Sequence, residues 1–122
     1  MGFKRFEDID AWKRGCQLAV EIYKITDIGK FEKDCGLRDQ IRRAAVSVPS
    51  NIAEGFERDT DAEFNRFASI AKGSCGELRT QIYIAQAIGY INKKSADELI
   101  KECVEIASML KGLMKYFSKD RT

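Results

Sequence analysis

The sequence predicts an all-α protein, folded as one domain into an antiparallel up-down-up-down four-helix bundle. Three observations carry that expectation. Of 122 residues only one is proline and nine are glycine, so long runs rich in Ala, Leu, Ile, Glu, Lys, Arg and Gln are nearly free of helix breakers. No stretch alternates apolar and polar residues as a half-buried strand does. Four amphipathic segments follow one another with short polar connections, and short connections between long helices make neighbours run in opposite directions. A chain of this length buries roughly two thirds of its unfolded surface in a single core.

The first segment spans Glu7 to Ile25. Asp10, Lys13, Arg14, Gln17, Glu21 and Lys24 crowd one arc, which leaves two apolar faces. Ile9, Trp12, Cys16, Ala19, Val20 and Tyr23 form the face expected to meet the core. Ala11, Gly15, Leu18, Ile22 and Ile25 form a second, nearly opposite face. A surface helix of a monomer needs only one, so the second is expected to lie between subunits of a homo-oligomer, the alternative being a helix sandwiched within its own chain.

Between Asp27 and Asp34 the period breaks at Gly29 and the chain should reverse. The second segment, LRDQIRRAAVSVPSNIAEG from Leu37 to Gly55, turns Leu37, Ile41, Ala44, Ala45, Val48 and Ile52 to the core. Pro49 lies inside it, where a missing donor and a clash with the Ala45 carbonyl cost about 3 kcal/mol in an ordinary helix. The unbroken apolar period nevertheless predicts a continuous, Pro-kinked helix. Beside the core face runs a polar row, Gln40, Arg43, Ser47, Asn51 and Glu54. It admits two roles: contact with a partner, or a structural network in which Asn51 or the serine hydroxyls satisfy freed carbonyls and Glu54 pairs with Arg43. Gly55 suits a helix-closing position.

The third segment opens with a capping-box pattern, Thr60 and Glu63. Phe64, Phe67, Ala68, Ala71, Cys75, Leu78, Ile82 and Ala85 make its core stripe, and Gly89 and Asn92 end it. Ser69, Gly73, Ser74 and Gly76 lower its helix propensity, and interior glycines of this kind suggest another backbone close by. The fourth segment pairs Ser95 with Glu98 in a second capping-box pattern and places Ala96, Leu99, Cys103, Ile106, Ala107, Leu110, Leu113, Met114 and Phe117 on one face. Acids lie early and bases late along it, which suits the helix dipole without any partner.

Composition limits the chemistry. There is no histidine, and the four cysteines form no CxxC pair, so neither a metal set nor a cofactor is expected. Cys16, Cys75 and Cys103 fall on apolar faces, where cysteine packs as a small hydrophobe, and a reducing cytoplasm is the expected setting. With no nucleophile-and-base constellation, no enzyme activity is expected. No apolar run approaches the roughly 20 residues needed to cross a bilayer, so no membrane partner is expected. Lys and Arg number 21 against 19 Asp and Glu, so any basic surface must arise by clustering. The candidates for phosphate contact are Arg38, Arg42 and Arg43 on the second segment, Lys72 and Arg79 one heptad apart on the third, and Lys111, Lys115 and Lys119 on the fourth.

The run QIRRAAVSVPSNIAEGFER, followed by FNRFASIAKGSCGELRTQIYIAQAIGYI, resembles the bacterial family encoded in intervening sequences of 23S ribosomal RNA genes. The likeness starts near Phe6, with FEDIDAWKRGCQLAVEIY, and reaches about Ile91; beyond that it holds only in helical character. It implies a left-handed four-helix bundle assembled as a ring of five. It also brings in a relative, the accessory protein of diversity-generating retroelements, whose similar barrel presents a basic surface to nucleic acid and a reverse transcriptase. Neither implies an enzyme activity or a cofactor. The resulting expectation is a homopentamer that binds RNA or another nucleic acid, with a protein-binding scaffold as the alternative.

Overall fold

The structure, a computed structural model, describes residues 2–119. After a 3-10 turn at Phe6–Asp8 come helices α1 (Asp10–Ile25), α2 (Gly29–Lys33), α3 (Cys35–Glu57), α4 (Asp61–Ala87) and α5 (Lys93–Lys119), with no strand among the described residues. The helix directions follow from which residues meet. Gly15 lies against Val48 and Pro49, and Thr26, which caps the end of α1, meets the earlier α3 residue Arg42. Ser47 meets Ser74, and Gly55 meets Phe64 and Phe67. Phe64 packs edge-on against Phe117, and the later α4 residue Cys75 lies with the earlier α5 residue Cys103. Each pair of lists ascends on one helix and descends on the next, so the long helices alternate in direction.

One apolar cluster unites them, including Leu18, Ile22, Ile41, Val48, Ile52, Phe64, Leu78, Ile82, Ile106 and Leu110. Across the remaining seam Arg14 of α1 grips α5. Its Nε donates to Glu102 Oε2 at 2.8 Å and its Nη2 to Glu105 Oε2 at 3.1 Å.

The structure buries Ile9 and Ala19 as expected but otherwise exchanges the expected faces of α1. Ala11, Gly15, Leu18 and Ile22 are buried in the chain's own core and Ile25 is half-buried, so this set cannot be the seam between subunits. Val20 and Tyr23, expected inside, are 53% and 46% exposed, and Trp12 and Cys16 are half-buried. The reason lies at the crossing with α3. A Cβ on Gly15 would stand only 3.3 Å from Pro49 Cδ, so the proline ring is accommodated where α1 offers no side chain, and the Gly15 face must turn inward.

Helix ends follow local chemistry, with corrections of a few residues. The Asp27–Asp34 connection contains α2, which buries Phe31 against Tyr90 with ring centroids 5.2 Å apart. Asp34 caps α3, accepting from the Leu37 amide at 3.1 Å and from the Tyr90 hydroxyl at 2.9 Å. Those two bonds, the amide's first, hold its carboxyl below the ordinary range. Pro49 is inside an unbroken α3, and Gly55 is an interior residue rather than the closing one; Asp59, at φ 68°, takes the left-handed turn instead. Thr60 caps α4 as expected, accepting from the Glu63 amide at 3.1 Å. Ser95, by contrast, is inside α5: Asn92 caps it, accepting from the Ser95 amide at 2.8 Å. No described helix is long and apolar enough to cross a membrane.

Candidate nucleic-acid interface

The predicted basic residues separate into two groups, according to whether the fold already occupies them. Arg38 donates to the Glu32 carbonyl at 2.8 Å and to Asp39 Oδ1 at 3.2 Å. Arg42 donates through Nε to Thr26 Oγ1 at 2.8 Å, and its guanidinium lies 4.5 Å from the centre of the Tyr23 ring. Thr26 itself is fully buried and donates to the Ile22 carbonyl at 2.7 Å. Arg42 therefore ties α3 to the turn that follows α1, and Arg38 ties it to α2, so the fold already engages both of these predicted phosphate contacts. Arg43 is exposed on α3, where it lines a shallow outer groove with Arg42, Val46 and Ser47 and not the groove of the remaining candidates.

Those remaining candidates converge. Lys72 and Arg79 of α4 and Lys111 of α5 line one groove of about 230 Å³, with Gly76, Val104, Ala107 and Ser108, above Cys75 and Cys103. Lys115 is exposed one turn beyond Lys111; the side chain of Lys119 lies outside the described residues. Among the described residues no salt bridge engages Lys72, Arg79, Lys111 or Lys115, although surface pairs are frequent elsewhere, as at Arg66–Glu63 and Lys93–Asp97. The opposite seam has the opposite character: a groove of about 410 Å³ between α1 and α5 is lined by Glu21, Glu98 and Glu102. Two of those carboxylates are already paired, Glu21 with Lys24 and Glu102 with Arg14, whereas the α4/α5 groove gathers cations that no salt bridge engages among the described residues.

Beneath the basic groove, burial pushes the Cys75 thiol up to about 11 and the Cys103 thiol up to about 12, with Lys72 and Arg79 respectively opposing the rise. Both thiols stay protonated near neutrality, and their place is that of core packing. No cluster of three or more His, Cys, Asp or Glu side chains suited to a metal ion exists among the described residues.

The polar row of α3 also divides. Ser47 Oγ meets Ser74 Oγ at 2.9 Å, while Asn51 Nδ2 donates to the Ser47 carbonyl at 2.8 Å and to Ser47 Oγ at 2.9 Å. Asn51 and Ser47 therefore bridge α3 to α4, a structural role, although the carbonyl served is that of Ser47 and not of Ala45. Glu54 pairs with Arg58 at 3.2 Å rather than with Arg43, and Gln40 is exposed. Sequence reasoning missed the outer trough between α1 and α3, about 550 Å³, where Val20, Tyr23 and Val46 meet solvent beside Ala19 and Arg42. The signal was present in the doubled apolar face of α1, read with its two sides exchanged.

Comparison with known proteins returns a consistent picture. The model of the 23S rRNA-intervening sequence protein family matches residues 7–112. A solved structure of a protein of unknown function from the S23 ribosomal protein family, from Bacteroides thetaiotaomicron VPI-5482, is similar in fold. It has a TM-score of 0.78 and 22% sequence identity, over 86% of this chain and 95% of that one. A comparison with curated proteins finds no match. With the family's pattern running from before α1 well into α5, this chain belongs to the 23S rRNA-intervening sequence protein family.

Proposed function

We propose that this protein is a noncatalytic, self-associating bundle that binds nucleic acid, RNA foremost, through phosphate contacts in the α4/α5 groove. The observation that carries the reading is the convergence of Lys72, Arg79 and Lys111 on one groove, with no salt-bridge partner for any of them among the described residues. Cations already paired with carboxylates must break those pairs to meet a phosphate, whereas these three release only counterions from the ligand. The absence of histidine and the protonated core thiols support a binding role over a catalytic one. Four unpaired cysteines suit a reducing cytoplasm.

The test is a titration of labelled RNA at increasing salt. Affinity should fall steeply with salt, and charge reversal at Arg79→Glu with Lys111→Glu should abolish binding while helical circular dichroism is kept. No detectable complex at low salt, or an affinity indifferent to salt, overturns the reading.

A second observation supports self-association and keeps the protein-scaffold alternative in view. Val20, Tyr23 and Val46 form an apolar trough on the outside of α1 and α3, on a bundle whose core is already complete. A second copy covering the trough would complete the homo-oligomer, a ring of five by family resemblance, and repeat the basic groove around it. If RNA binding fails while the trough proves essential to association with another protein, the scaffold reading replaces the first.

A further inference from the structure

We infer that the ligand of the α4/α5 groove is single-stranded nucleic acid, with a base stacked on the exposed ring of Tyr83 while Lys72, Arg79 and Lys111 hold its phosphates. This rests on the nucleic-acid reading above and narrows it.

Tyr83 is 55% exposed and follows Arg79 by four residues on α4, so the two are neighbours on one helix face. Among the described residues its ring has no aromatic or cation partner, unlike the other three tyrosines. Tyr23 lies under Arg42, Tyr90 packs on Phe31 and donates to Asp34, and Tyr116 meets Phe117 edge-on. An unpartnered, outward ring at the end of a run of unpaired cations is the arrangement that single-strand binders use, in which a basic groove follows the backbone and aromatic rings take the bases.

Gly76 lies between the cations of α4 on the groove lining, and a Cβ there would meet nothing within 4 Å. The missing side chain therefore serves no packing inside the chain, and it leaves the helix backbone open to a closely seated strand. A duplex keeps its base faces stacked inside, out of reach of a ring fixed on a regular helix, whereas a single strand presents them. The ring and the cations thus act on the same ligand only if that ligand is unpaired.

The experiment uses fluorescence anisotropy with labelled oligouridylate, oligothymidylate and a blunt RNA duplex of equal length, against wild type, Tyr83→Ala, Tyr83→Phe and Arg79→Glu. Wild type should bind both single strands more tightly than the duplex. Tyr83→Ala should weaken single-strand binding by about tenfold, the loss of one stacked base, and leave the salt slope unchanged because no charge is removed. Tyr83→Phe should restore the affinity, and Arg79→Glu should lower both affinity and slope. Duplex binding as tight as single-strand binding overturns the inference. So does an unchanged affinity in Tyr83→Ala alongside a weakened Arg79→Glu, which would leave the phosphate-binding groove itself standing. Absence of binding by wild type to every probe removes both readings together.

Discussion

Three glycines in the interiors of long helices should respond to alanine with opposite signs. An alanine Cβ at position 55 would lie 2.8 Å from Phe67 Cβ and 3.2 Å from both the Cα and the carbonyl oxygen of Phe64. Two of those atoms are backbone, so relief requires α4 to move away from α3. Overpacking of this kind costs about 1–3 kcal/mol, against a helix-propensity gain of about 1 kcal/mol. Where the strain sits in backbone the cost falls at the upper end, so Gly55→Ala should lose about 1–2 kcal/mol. For a domain of this size that is a fall in Tm of about 4–8 °C. At Gly73 and Gly76 an added Cβ meets nothing within 4 Å, so only the propensity term remains and each alanine should gain about 0.5–1 kcal/mol. Thermal and urea unfolding followed by circular dichroism would order the variants as Gly76→Ala above wild type above Gly55→Ala. A Gly55→Ala protein at least as stable as wild type would show that the α3/α4 crossing is not set by backbone approach.

Leu18 is 3% exposed, so Leu18→Glu should abolish cooperative thermal unfolding and much of the helical signal, since an unpaired buried carboxylate costs several kcal/mol. Recovery of folded monomers instead would return this face to the subunit seam. Val20→Glu, at a 53% exposed site, should keep the helical signal and lower the mass measured by light scattering; an unchanged assembly would exclude the α1/α3 trough as its interface. Glu102 has its pKa held below the ordinary 4.5, chiefly by the hydrogen bond from Arg14. Its contribution to stability is therefore fully present above 4.5 and is lost as pH falls through the lowered folded value. Arg14→Met should flatten that acid limb in urea titrations on either side of pH 4.5, and an identical limb in both proteins would mean that the pair adds nothing to folding.

Much of the fold was legible in one dimension because it rests on local period and local hydrogen bonding. The stripe from Phe64 to Ala85 is buried as its spacing predicts, Thr60 caps α4, and α3 runs through Pro49. Periodicity records how apolar a face is but not what stands opposite it, and the corrections to α1, to the glycines and to the arginines have that origin. Two faces of α1 are apolar, and only the Pro49 ring facing Gly15 decides which one turns inward. Glycine has the same letter at 55, 73 and 76, but only at 55 does another helix press against it. Arg42 and Arg79 carry the same charge; Thr26 and the Tyr23 ring occupy the first, while the second opens onto a groove shared with Lys72 and Lys111. The four long helices and the stock of charges could be read from the chain alone, since these depend on neighbours a few residues away. Which glycine is a contact, which arginine is free and which cations act together were decided only when helices distant in the chain packed side by side.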